Sequence, residues 1–154
     1  MKDKIKMWLT EEGIFKTEIS DENADWHFLV EFPPNSKQMS DIIKLKGRDV
    51  ILVASGIALS DKHYSSLHSL PEDKKKALIH RWKIDLLFRD VEFRMIPNAE
   101  SVKQIEFQVP LYLEDLRKSD IMKALRDVFK CKLYVIWNLN YELEKRKDLD
   151  AMYL

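Results

Sequence analysis

Four histidines, a single cysteine and a few clustered carboxylates and lysines are the residues of this chain that could do chemistry. Imidazole and carboxylate together can hold a metal ion, and Asp61, His63 and His68 come nearest to such a set. The five-residue step between the two histidines keeps them off one helical face, however, and no HExxH occurs. This stretch reads as an exposed polar segment, and no metal or other cofactor is expected. Cys131 lies in an apolar run, where a cysteine behaves as a small buried hydrophobe rather than a thiolate nucleophile. As the only cysteine it permits neither an internal disulfide nor a cysteine-based zinc cluster. Ser55, Ser65 and Ser66 carry no GxSxG context. The carboxylate pairs Glu11–Glu12 and Asp148/Asp150 could serve as acid and base, but both sit where helix ends should meet water, and solubility is their expected role. No catalytic residue is assigned.

Nucleotide and nucleic-acid chemistry fare no better. Gly13, Gly47 and Gly56 are the only glycines, so no glycine-rich turn can cradle a phosphate between strand and helix. The 26 basic residues are balanced by 26 acidic ones. Phosphate backbones select for a basic surplus or stripe, and the longest basic run here, Lys74–Lys76, directly follows Glu72–Asp73. Trp8, Trp26, Trp82 and Trp137 suit core positions or interface anchors better than base-stacking platforms. Neither a nucleic-acid partner nor a membrane partner is expected: no stretch of about 18 apolar residues occurs, nor a signal-peptide-like apolar run near the N-terminus. A reducing, cytoplasmic setting follows from the cysteine usage.

The elements that would position these residues can be read from periodicity. At 154 residues, 45% hydrophobic and 34% charged, the chain fits one globular domain over 1–154, with a charged tail from about 145 that should fray. Helical spacing of Ile5, Trp8 and Leu9 predicts a helix over 3–12, ended by Gly13. A strand at 14–19 and a polar turn at 20–23 follow. The next strand has Trp26, Phe28, Val30 and Phe32 on one face and His27 and Glu31 on the other, until Pro33–Pro34 stops it. Residues 40–46 and 49–55 form a hairpin about Gly47–Arg48. Val50–Ala54 is apolar on both faces, so it should be central or lie under a partner. Residues 60–70 are a loop or a short helix. Ser69-Leu70-Pro71-Glu72 reads as a capping box opening a helix to about Arg89. Strands with inward Val91, Phe93 and Met95, then Ile105, Phe107, Val109 and Leu111, precede a long helix over 120–144.

This order, helix-ββββ-helix-ββ-helix, with strands that alternate in hairpins, predicts an α+β domain of two layers: an antiparallel sheet with helices grouped on one face. The middle helix has two apolar sides. Leu78, Ile79, Trp82 and Leu86 cluster on one, Ala77, Ile84, Leu87 and Phe88 on roughly the other. A helix on a two-layer domain needs one apolar stripe. A second stripe means either burial between the sheet and the last helix or a covering partner, and Leu78, Ile79, Trp82 and Leu86 are taken as the dimer or partner interface.

Four phrases carry a family resemblance: IKMWLTEEG (Ile5–Gly13), WHFLVEFP (Trp26–Pro33), Val50–Ala54, and IEFQVPLYLEDLRKSDIMKAL (Ile105–Leu125). In pattern and order the chain resembles an uncharacterised archaeal domain-of-unknown-function family that belongs with the type III secretion chaperone-like (YbjN-like) fold group. The resemblance implies a homodimer joined through the helix between the strand groups, with sheet surfaces that receive an extended segment of a client protein. The expected function is therefore that of a protein-binding, chaperone-like or adaptor domain without catalysis. The alternative is an enzyme or small-ligand-binding protein of unrecognised type, which would need a concave pocket with convergent polar groups.

Overall fold

The computed structural model describes the backbone of residues 1–153 and the side chains of residues 1–144. Its elements are α1 (Lys2–Glu11), β1 (Phe15–Glu18), β2 (Ala24–Glu31), β3 (Met39–Leu45), β4 (Val50–Ala58), α2 (Asp61–His68), α3 (Glu72–Leu87), β5 (Glu92–Ile96), β6 (Gln104–Tyr112) and α4 (Lys118–Tyr153). The six strands form one antiparallel sheet in the order β1-β2-β3-β4-β6-β5. The expected α+β architecture is therefore present, and the ambiguous 60–70 segment is helical over Asp61–His68.

Alternation decides which side of the sheet the core occupies. Trp26, Phe28 and Val30 of β2, Ile42 of β3, Ile51 and Val53 of β4, and Ile105 and Phe107 of β6 point inward and are buried. They share one cluster with Ile5 and Leu9 of α1, Trp82 and Leu86 of α3, and Leu125, Val128, Val135 and Leu139 of α4. Each such side chain contributes roughly 1.5–3 kcal/mol of burial. The doubly apolar β4 is central, flanked by β3 and β6, which is why its outward Leu52 and Ala54 are half-buried rather than exposed.

Three local expectations are corrected. Ser69 does not cap α3: it is the C-cap of α2, and its hydroxyl donates to the Ser65 carbonyl, leaving Pro71 at the α3 N-cap with no side-chain bond. The Glu11–Glu12 pair is not idle at a helix end, because Lys118 bridges both carboxylates at 3.1 and 2.8 Å and ties α1 to the start of α4. The last helix does not stop near Glu144 but continues to Tyr153. The expected fraying of the tail, and the side chains of Asp148 and Asp150, lie outside the described residues.

Candidate functional site

The structure sends the two apolar sides of α3 to different places. Leu78, Ile79, Trp82 and Leu86 are 4%, 5%, 0% and 2% exposed, turned into the chain's own core. As an interface these four are corrected: side chains that the sheet and α4 already cover cannot also be offered to a partner. The opposite side is bare. Ile84, Leu87 and Phe88 are 42%, 64% and 81% exposed.

That bare stripe continues on α4. Asp85 accepts a hydrogen bond from the Tyr134 hydroxyl, and Arg81 reaches Glu142 at 3.5 Å, so the two helices run antiparallel here. One helical step outward from these joints lie Ile84 on α3 and Phe88 at its C-cap, and Trp137 and Tyr141 on α4. Trp137 and Tyr141 are 66% and 63% exposed. Sequence reasoning assigned Trp137 to core or interface without choosing. Its spacing from buried Val135 and Leu139 on the same helix was the available signal.

Beside the joint, Leu86, Phe88, Arg89, Val91, Lys123, Asp127, Lys130, Cys131 and Tyr134 line a cleft of about 300 Å³. Burial, then the Asp85 carboxylate, pushes the Tyr134 hydroxyl up to about 12. Burial also raises the thiol of Cys131, which is 4% exposed.

Among the described residues no helix packs on the outer face of the sheet. Register places Leu29, Ile43, Leu52, Ala54 and Pro110 across its middle, all half-buried. Polar pairs border this strip. Arg94 meets Glu106 at 2.8 Å, and Gln108 donates to Glu92 at 2.8 Å. At the other end Glu31, 7% exposed, accepts from the amides of Asn35 and Lys37 at 3.0 and 3.2 Å and pairs with Lys16. Asn35 and Lys37 hold the left-handed backbone (φ 61° and 63°) that L-residues adopt at a cost, and the two bonds to Glu31 help keep the loop in it. Burial opposes the Glu31 charge, but the amides and Lys16 prevail and lower its pKa.

A second buried charge lies between sheet and helix. Lys132 of α4, 4% exposed, donates to the Ser55 hydroxyl at 3.0 Å, and Ser55 donates on to the Met39 carbonyl at 2.7 Å. Burial lowers the Lys132 pKa, partly offset by the charge of Asp41.

The remaining expected candidates do not converge. His68 Nε2 lies 3.0 Å from the Val102 carbonyl and its ring packs on Tyr64, away from His63. Among the described residues no group of three His, Cys, Asp or Glu could hold a metal ion, and no helix is long and apolar enough to cross a membrane.

Comparison with known proteins adds the following. A family profile described as "Uncharacterized conserved protein (DUF2299)" matches residues 1–139, a span that includes all four phrases on which the resemblance rested. An uncharacterized protein from Methanothermobacter thermautotrophicus is 27% identical, with a TM-score of 0.86 over 92% of this chain and 98% of that one. YbjN from E. coli, at 14% identity, gives a TM-score of 0.53 over 92% of this chain and 93% of its own, a likeness of fold. No curated protein matches the chain.

Proposed function

Since the chain belongs to the DUF2299 family of uncharacterized conserved proteins and has a YbjN-like fold, we propose that it acts by binding protein, as a cytoplasmic homodimer without catalysis. The observation that carries this reading is the bare stripe of Ile84, Leu87, Phe88, Trp137 and Tyr141. A full aromatic side chain presents roughly 150–250 Å², so the exposed fractions of these five amount to on the order of 600 Å² per protomer. Two copies pairing isologously would bury about 1,200 Å², the lower end of stable interfaces. The interface moves from the buried side of α3, where sequence placed it, to the exposed one. The uncovered sheet face, with its apolar strip bordered by polar pairs, is the surface we assign to an extended client segment. Pockets for alternate side chains along a sheet suit such a ligand.

Light scattering on a sizing column tests the dimer. The expected mass is about 37 kDa, twice the 18.3 kDa chain, falling to one chain in Phe88→Asp combined with Trp137→Ala. A wild-type monomer at every concentration would sink the proposal. A second reading, small-ligand binding, is favoured by the cleft beside Cys131 and Tyr134, since perturbed groups in a concavity often mark sites. It predicts that bulky substitutions at Lys130 alter ligand-induced thermal shifts and leave oligomeric mass unchanged.

A further inference from the structure

His27 stands between two carboxylates supplied by different elements. Its Nδ1 is 3.0 Å from Oδ2 of Asp21 in the turn between β1 and β2, and its Nε2 is 2.6 Å from Oδ1 of Asp41 on β3. A neutral imidazole has one N–H and one lone pair. It can therefore donate to only one of these carboxylates, and its lone pair then faces the other acceptor at hydrogen-bond distance. Only the imidazolium donates to both.

We propose that His27 is a proton-operated latch, whose imidazolium clips the β1–β2 turn onto the outer face of the sheet and whose deprotonation lets the turn go. Besides the latch, the turn is held by two backbone bonds at its ends, from the Ile19 amide to the His27 carbonyl at 2.7 Å and from the Ala24 amide to the Asp21 carbonyl at 3.3 Å. Asp21 spends its other oxygen within the turn, accepting the Asn23 amide at 2.9 Å. Its carboxyl is held below the usual range by that amide first and by His27 second. Of the other charges near the latch, Glu22 of the same turn is exposed to solvent. Asp25, two residues before His27, is bound by Lys44 at 2.9 Å. From α4, Lys132 acts on Asp41 through its charge. By register, β4 brings only uncharged Leu52 and Ala54 to this side, and β1 brings Thr17 and, next to it, Lys16, whose ammonium pairs with Glu31 at 3.4 Å. Asp21, His27, Asp41 and Lys132 thus balance as two negative and two positive charges while the ring is protonated. Without that proton one negative charge is left over, next to side chains only 13%, 24% and 35% exposed for His27, Asp21 and Asp41.

The consequence is local and directional. His27 is the cross-strand partner of Ile43 and neighbours Leu29 on the same face. The latch therefore stands at the β2–β3 end of the apolar strip, so its release alters the border of that strip.

Nuclear magnetic resonance on the full chain tests the latch, following the His27 ring nitrogens and the backbone amides of residues 20–24 from pH 5 to pH 9. We expect both ring nitrogens protonated at the acid end, and the turn amides moving in step with the ring as the proton leaves. Amide exchange at residues 20–24 should rise at least several-fold beyond the ordinary pH trend. The linked response should vanish in His27→Gln and in Asp41→Asn, two variants that change one polar group each. The proposal is overturned if the turn amides are silent while the ring titrates. It is equally overturned if they move to the same extent in His27→Gln, or if the ring keeps one protonation state across the whole range.

Discussion

At the residue scale, Lys132 gives the sharpest prediction. Among the described residues its ammonium bonds only a hydroxyl, and a buried charge so poorly compensated costs stability. Lys132→Met should stabilise the domain by about 1 kcal/mol or more in urea unfolding at pH 7. The folded chain binds this proton less tightly than the unfolded one. The cost is therefore full below the depressed pKa and is relieved as pH climbs toward the ordinary 10.5, a rise in stability that the methionine variant should lack. Tyr134 has the opposite sense. Its hydroxyl is raised to about 12, so folding is disfavoured as pH passes from 10 to 12. An alkaline absorbance titration should find one of the five tyrosines ionising last, and Asp85→Asn should bring it down. None of these pairings was legible in sequence. Asp41 lies 14 residues from His27, Asp85 lies 49 from Tyr134, and Ser55 lies 77 from Lys132. The sequence did mark His27 and Glu31 as facing away from the core, because strand alternation is local.

At the element scale, α3 shows how one pattern permits two outcomes. Its two apolar stripes were legible, but periodicity is symmetric between them, and only the sheet and α4 decide which is covered. Substitutions separate the two sides. Trp82→Ala should cost about 3–5 kcal/mol through the cavity it leaves. Trp82→Phe should cost less, since it also removes an indole N–H that is buried without a partner. Trp137→Ala should change monomer stability by no more than about 0.5 kcal/mol while weakening self-association. Thermal unfolding together with oligomeric mass distinguishes the two behaviours. The same logic explains Ser69. A capping-box spacing is a local signal, but α2 ends immediately before it and uses the same hydroxyl, so the neighbouring element took the residue first.

At the scale of the whole molecule, the two layers leave two different surfaces open. The outer sheet face is mixed, an apolar strip between polar pairs, as suits a reversible ligand. The α3–α4 face is aromatic and apolar, as suits a second copy. If both assignments hold, Phe88→Asp should yield a monomer that still binds client segments, whereas Leu52→Asp should keep the dimer and lose them. Pull-down paired with light scattering checks this. A variant that loses both together would mean that the two surfaces are one.

Taken alone, the sequence determined the class of the fold: alternating strands, one-sided helices, a β4 apolar on both faces and so central, and a final helix with an unbroken stripe. These features depend on neighbours within one or two turns, and the chain carries that information locally. Only the tertiary structure decided that Leu78, Ile79, Trp82 and Leu86 are core and that Ile84, Leu87, Phe88, Trp137 and Tyr141 face outward. It alone brought Asp21, His27 and Asp41 together. Both outcomes depend on which residues, distant along the chain, come to lie on the same side of the sheet. That is a property of how the layers pack, which no periodicity encodes.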